Sequence, residues 1–126
     1  MINSRQKGAK GEREVAKLLS DRGYRCRRGQ QFNGLEGEDV VGLDYMHIEV
    51  KRVQNLNLYN AYLQAKRDSK NNNRPLVFHR KNNQKWLVSM DFDTFIELYD
   101  SFYSDMKLKE MESKNEWYGQ RRTRSY

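Results

Sequence analysis

The chain has 126 residues, 37% of them apolar, and carries 24 lysines and arginines against 17 aspartates and glutamates, a net charge of +7. That size suits one domain with a real core, and the positive balance favours a polyanionic partner, nucleic acid before membrane. No apolar run approaches a membrane span, the start (Met1-Ile2-Asn3-Ser4-Arg5) lacks the apolar core of a signal peptide, and a lone cysteine, Cys26, excludes an intrachain disulfide.

The first predicted element is a helix over residues 7–22. Val15, Ala16, Leu18 and Leu19 supply its apolar face, and Gly23 is placed to end it. A short strand over 24–27 follows, with Cys26 expected as a small buried residue. The segment 29–37 holds three glycines, two glutamines and an asparagine, and reads as a mobile loop. Strands are expected over 39–41 and 46–53, joined by a turn through 42–45. Leu58, Ala61, Tyr62 and Ala65 recur at helical spacing and predict a helix over 58–69, stopped at Asn71-Asn72-Asn73. A hairpin is expected from 76–79 and 86–90. Asp91 can cap a last helix whose apolar positions include Phe92, Phe95, Ile96, Leu98, Tyr99 and Phe102; its end, before or beyond Met106 and Met111, stays open. The expected order is α-β-β-β-α-β-β-α, a single domain over 1–116 with a basic, disordered tail over 117–126.

Charge is unevenly spread. Residues 1–35 carry a net of +6 and residues 36–90 a net of +3, whereas residues 91–116 carry −5. The positive field thus sits around the segment with the strongest chemical signal. There Glu38-Asp39-Val40-Val41 is followed by His47-Ile48-Glu49-Val50-Lys51. Residues i and i+2 of a strand share a face, so Glu49 and Lys51 project together while Ile48 and Val50 face a core. If Asp39 comes from the neighbouring strand of a hairpin, its carboxylate converges on Glu49. Two carboxylates beside a lysine suit a hard, oxygen-seeking cation and an activated water, the equipment of metal-dependent phosphodiester cleavage. A second Glu-x-Lys, Glu112-Ser113-Lys114, lies in a helix-patterned segment where i and i+2 do not face each other, and reads as solvated decoration. Asp44 competes for the role of first carboxylate. It lies only five residues before Glu49, in the expected turn, so Asp39 is preferred. His47 shares the face of Glu49 and Lys51, but such a histidine is more often a hydrogen-bonded strand residue, and it is left outside the catalytic set.

In these motifs and their order the chain resembles the PD-(D/E)XK nuclease superfamily, and within it the archaeal-type Holliday junction resolvases and resolvase-like phage endonucleases. Gly8-Ala9-Lys10-Gly11-Glu12-Arg13-Glu14 is similar to that family's Gly-x-x-x-Glu-Arg-Glu, Glu38-Asp39-Val40-Val41 to its Pro-Asp-Ile-Ile, and Ile48-Glu49-Val50-Lys51 matches directly. Gln64 stands on the second helix, where related nucleases often carry a glutamine. Glu38 departs from the family's proline, which is not a ligand. The resemblance implies a restriction-endonuclease-like α/β fold, a mixed central sheet flanked by helices. It implies Mg²⁺ or Mn²⁺ held by Asp39, Glu49 and the carbonyl of Val50, with Glu12 binding a second cation or positioning its water shell. Lys51 would orient the attacking water or stabilise charge on the phosphate, and Gln64 would assist.

Arg5, Lys7, Lys10, Arg25, Arg27 and Arg28 are candidate phosphate contacts, and Gln30, Gln31 and Asn33 candidate polar contacts of a loop closing over a strand. Phosphate contacts position a backbone without reading sequence, and no base-reading module is visible. The expectation is therefore a structure-selective DNA endonuclease acting on branched DNA, as a homodimer, in the cytoplasm, phage-encoded or nucleoid-associated. Two rivals are a phage nuclease for flaps, forks or single strands, and a non-catalytic nucleic-acid-binding protein on the same fold.

Overall fold

A computed structural model describes residues 4–29 and 37–124. It contains α1 (Ser4–Asp21), β1 (Arg27–Arg28), β2 (Val40–Val41), β3 (Met46–Arg52), α2 (Leu58–Asp68), β4 (Arg74–Arg80), β5 (Leu87–Ser89) and α3 (Phe92–Arg124). The chain divides into two compact units, Met1–Asp91 and Phe92–Tyr126.

The first unit holds one mixed sheet of five strands in sequence order. β1 pairs antiparallel with β2, β2 with β3, and β4 with β5, whereas β3 and β4 run parallel from Met46↔Arg74 to Arg52↔Arg80. A parallel pair needs a crossover, and α2 supplies it. Asn57 caps that helix, its side-chain oxygen accepting from the Asn60 amide at 3.1 Å. The expected α/β core with a mixed sheet flanked by helices is therefore the observed one.

The two faces of the sheet are dressed differently. Val15 and Ala16 of α1 pack with Val40, Ile48 and Val50, joined by Leu19, Phe78 and Trp86. Ala61 and Ala65 of α2 pack with Val77, joined by Leu56 and Tyr62. Full burial of a Val or Ile side chain is worth roughly 1.5–3 kcal/mol, so these residues set the sheet's register. At Gly11 α1 comes close to β3: a Cβ there would lie 3.0 Å from Arg52 Cβ and 3.4 Å from Val50 Cγ1. The glycine of the Gly-Glu-Arg-Glu stretch thus lets the helix bring Glu12 and Glu14 to the sheet.

Several boundaries differ from expectation. Gly23, at φ 98°, ends α1 as anticipated. The next strand, however, is Arg27–Arg28 rather than 24–27. The Cys26 amide donates to Tyr24 O at 2.9 Å, a tight local turn that takes these residues out of the ladder. Cys26 is half-buried, not fully buried as expected, and burial pushes its thiol pKa up. β4 starts earlier and takes in Pro75. The Arg74 amide donates to Tyr45 O, so the nitrogen of Pro75 points away from β3, toward a side where β5 pairs only from Val77 onward.

In the second unit α3 continues through Met106, Met111 and Gly119 to Arg124, over a stretch expected to be an irregular basic tail. Among the described residues no helix is long and apolar enough to cross a membrane.

Candidate active site

The β2–β3 pairing builds the site. With Val40 opposite Ile48, the Asp39 amide donates to Ile48 O at 3.0 Å. The Asp39 side chain turns back on β3, where its Oδ2 accepts the Val50 amide at 2.7 Å. Val40, Ile48 and Val50 occupy the α1 face, so alternation sends His47, Glu49 and Lys51 to the other face. Lys51 confirms this placement, its Nζ donating to Gln64 Oε1 of α2 at 3.1 Å.

Asp39 is 8% exposed and Glu49 and His47 only 1% each. Burial pushes the Glu49 carboxyl up to about 7, the hydrogen bond with His47 opposes the rise, and the charge of Asp39 and a hydrogen bond with it add to the rise. Glu49 is thus a buried carboxyl that resists taking up charge beside Asp39. The second oxygen interaction of Glu49 is with His47, whose Nε2 lies 2.9 Å from Oε1.

Glu12 stands near this pair on α1. Its carboxyl accepts from Arg28 Nε at 2.9 Å. Burial raises its pKa above 4.5, the Arg28 hydrogen bond lowers it, and the charge of Asp39 raises it again, which places Glu12 within the field of the acidic pair. Asp44, by contrast, is exposed in the 42–45 turn and its charge acts on Cys26. Asp39 is the aspartate that meets Glu49.

The candidate DNA contacts are unequal. Lys10, Arg25 and Arg27 are exposed, and Arg28 is exposed but holds Glu12. Arg5 and Lys7 lie on the first turns of α1, with side chains outside the described residues, as are Gln30, Gln31 and Asn33 altogether. On the face of Glu49 and Lys51, His79 pairs in register with Lys51 and lines a cavity of about 580 Å³ together with Val53, Leu56, Lys81, Lys85 and Leu87.

Two residues with roles here escaped sequence reasoning. Glu14 accepts from Arg80 Nη1 at 2.9 Å and Trp86 Nε1 at 3.1 Å, with Arg52 Nε at 3.5 Å, and so ties α1 to the ends of β3 and β4. Its presence beside Glu12 in the opening motif was the available signal. His47 was set aside as a strand residue, although its alternation with Glu49 and Lys51 pointed to the site.

Chemically, the arrangement offers hard oxygen donors: the carboxylates of Asp39 and Glu49 and the main-chain carbonyl of Val50. Among the described residues no group of three or more His, Cys, Asp or Glu side chains is gathered for a metal ion. The donor set nonetheless fits a hard divalent cation, because two neighbouring carboxyl groups buried together, one of them resisting charge beside the other, form a pair that a dication can neutralise.

The family model described as "Phage putative PDDEXK endonuclease" matches residues 3–124. No curated protein and no solved structure matches the chain. The match spans almost the whole sequence, including every element that builds the Asp39–Glu49–Lys51 cluster, and the chain belongs to this family of phage PD-(D/E)XK endonucleases.

Proposed function

We propose that the chain is a divalent-cation-dependent DNA endonuclease that prefers branched DNA, in the manner of a Holliday junction resolvase, and works as a homodimer. The observation that carries the catalytic part is the buried Asp39–Glu49 carboxyl pair with Lys51 one strand repeat beyond it on the same face. Mg²⁺ or Mn²⁺ on Asp39, Glu49 and the Val50 carbonyl would supply a Lewis acid and a water of lowered pKa. The Asp39 carboxylate is already oriented by the Val50 amide. Lys51 spends one donor on Gln64 and keeps two N–H groups to orient the attacking water or to meet charge developing on the phosphate. Glu12, steadied by Arg28, would hold the water shell or a second cation. Lys10, Arg25 and Arg27 supply exposed positive charge for the DNA backbone.

Support for branched DNA is the resemblance to the resolvases, together with basic groups suited to phosphates and no base-reading module. The test is to incubate the pure protein with four-way junction, flap, duplex and single-stranded DNA, with Mg²⁺, Mn²⁺ or chelator. Junction cutting should exceed the rest, vanish with chelator and fall by orders of magnitude in Asp39→Asn, with DNA binding kept; Asp44→Asn should retain most activity. Preferred cutting of flaps by a monomer would replace the resolvase reading with that of a nicking nuclease. Protein inert on every DNA form would leave a binding module.

A further inference from the structure

One oxygen of each buried carboxyl group is held by a donor from β3. Asp39 Oδ2 accepts the Val50 amide, and Glu49 Oε1 faces His47 Nε2 at 2.9 Å. The first donor is main chain and comes with the strand. The second is a side chain, and nothing in strand geometry requires a histidine there. The ring is 1% exposed and stands beside Pro75 in the parallel register, while a Cβ built at Gly37 would touch Cε1 at 3.9 Å.

We propose that His47 is a positioning residue of the active site. Its Nε2–H fixes the Glu49 carboxylate by one oxygen and so aims the other at Asp39 and the cation the pair would hold. The tautomer follows from the partner: an ionised carboxylate only accepts, so Nε2 must carry the hydrogen when Glu49 is charged. A carboxylate ligand without such a support rotates about its last bond and loses geometry, and losing a supporting hydrogen bond typically weakens a metal site 10–100-fold. His47 touches neither phosphate nor water in this role, and acts through Glu49. The inference rests on the nuclease reading of this site.

The experiment measures Mn²⁺ binding, by the loss of the free-ion paramagnetic resonance signal and by calorimetry, alongside Mg²⁺-dependent cleavage of junction DNA. It compares wild type with His47→Leu and His47→Gln, and uses circular dichroism in chelator to establish folding. His47→Leu removes the donor and should weaken Mn²⁺ binding roughly 10–100-fold, with cleavage falling in step and metal-free DNA binding unchanged. In His47→Gln the side-chain amide again offers an N–H to Oε1, and affinity and cleavage should return to within several-fold of wild type. Should His47→Leu fail to fold, His47→Asn, whose amide stops short of Oε1, replaces it with the same expected loss. Wild-type Mn²⁺ affinity in the donorless variant overturns the proposal and leaves the nuclease reading standing. Equal losses in His47→Gln and His47→Leu also overturn it, because the ring would then be packing alone. A wild type that binds no Mn²⁺, or binds it no better than Asp39→Asn does, removes the metal reading and the positioning role together.

Discussion

Glu49→Gln should make the metal-free protein more stable at alkaline pH while abolishing its cleavage. The substitution keeps the shape of the side chain. The amide oxygen can accept from His47 and the amide nitrogen can donate to Asp39, so both hydrogen bonds of the buried group persist. Only the charge is lost. In the fold, Glu49 ionises at about 7 rather than 4.5, so between those values the folded protein holds a proton the unfolded chain has released. Stability of the wild type must therefore fall as pH rises through this window and level off above it. Taking roughly 1.4 kcal/mol per pH unit, the cost of the charge is about 1 kcal/mol at pH 5 and about 3 kcal/mol at pH 8. Urea titrations in chelator, followed by circular dichroism, should show the advantage of Glu49→Gln growing by about 2 kcal/mol between those pH values. Mn²⁺ should erase the difference at pH 8 by stabilising the wild type alone. An advantage that does not change with pH, or a variant less stable than wild type at pH 8, would refute the raised titration of Glu49 in the fold.

Three further outcomes are expected. Gly42→Ala should cost at least about 2 kcal/mol, read by urea titration, because Gly42 sits at φ 109° and a Cβ would collide with the main chain of Arg25 and Cys26. Glu14→Gln should cost about 1–3 kcal/mol in the same assay, since it leaves Arg52 and Arg80 without their shared countercharge; an unchanged midpoint would show that the cluster is solvated. Arg27→Glu should lower affinity for junction and duplex DNA alike and reduce the slope of log affinity against log salt by about 1, measured by anisotropy with the Asp39→Asn protein; a slope equal to that of the parent removes Arg27 from the DNA contacts.

How much of this was legible in the sequence depended on whether the deciding contacts were local. The β-branched alternation from Met46 to Arg52 and the apolar pair Val40-Val41 defined a hairpin, and with it the meeting of Asp39 and Glu49, because a period of two leaves one choice of face. Gly23 marked a helix end because few residues tolerate its φ. The strand after it was placed too early, since the Tyr24–Cys26 turn is made by main-chain hydrogen bonding that side chains do not announce. The length of α3 was hidden for another reason: apolar positions thin out after Met111, and helix persistence there leaves no amphipathic trace. Glu14 was passed over because its partners Arg80 and Trp86 lie 66 and 72 residues away. His47 was visible by position, yet only its contact with Glu49 separates it from an ordinary buried strand histidine.

The same strand therefore has to satisfy two demands at once. On one face of β3, Ile48 and Val50 belong to the core under α1, and on the other His47, Glu49 and Lys51 make the site. A slip by one residue would exchange the faces, burying Lys51 and Glu49 against Val15 and turning Ile48 toward α2. Two features forbid that slip. The parallel register with β4 is continuous over the full length of β3, and the 42–45 turn, with Gly42 and Tyr45 both at positive φ, fixes where β2 meets it. The buried carboxyl pair works against folding at neutral pH, so the register must be held by groups outside the pair. The apolar residues of the α1 face and the Glu14–Arg80–Trp86 cluster do this from the face opposite His47, Glu49 and Lys51. Substitutions in the apolar core of that face, such as Val15 to a larger residue, should accordingly reach activity only through stability, whereas those at His47, Glu49 and Lys51 separate the two.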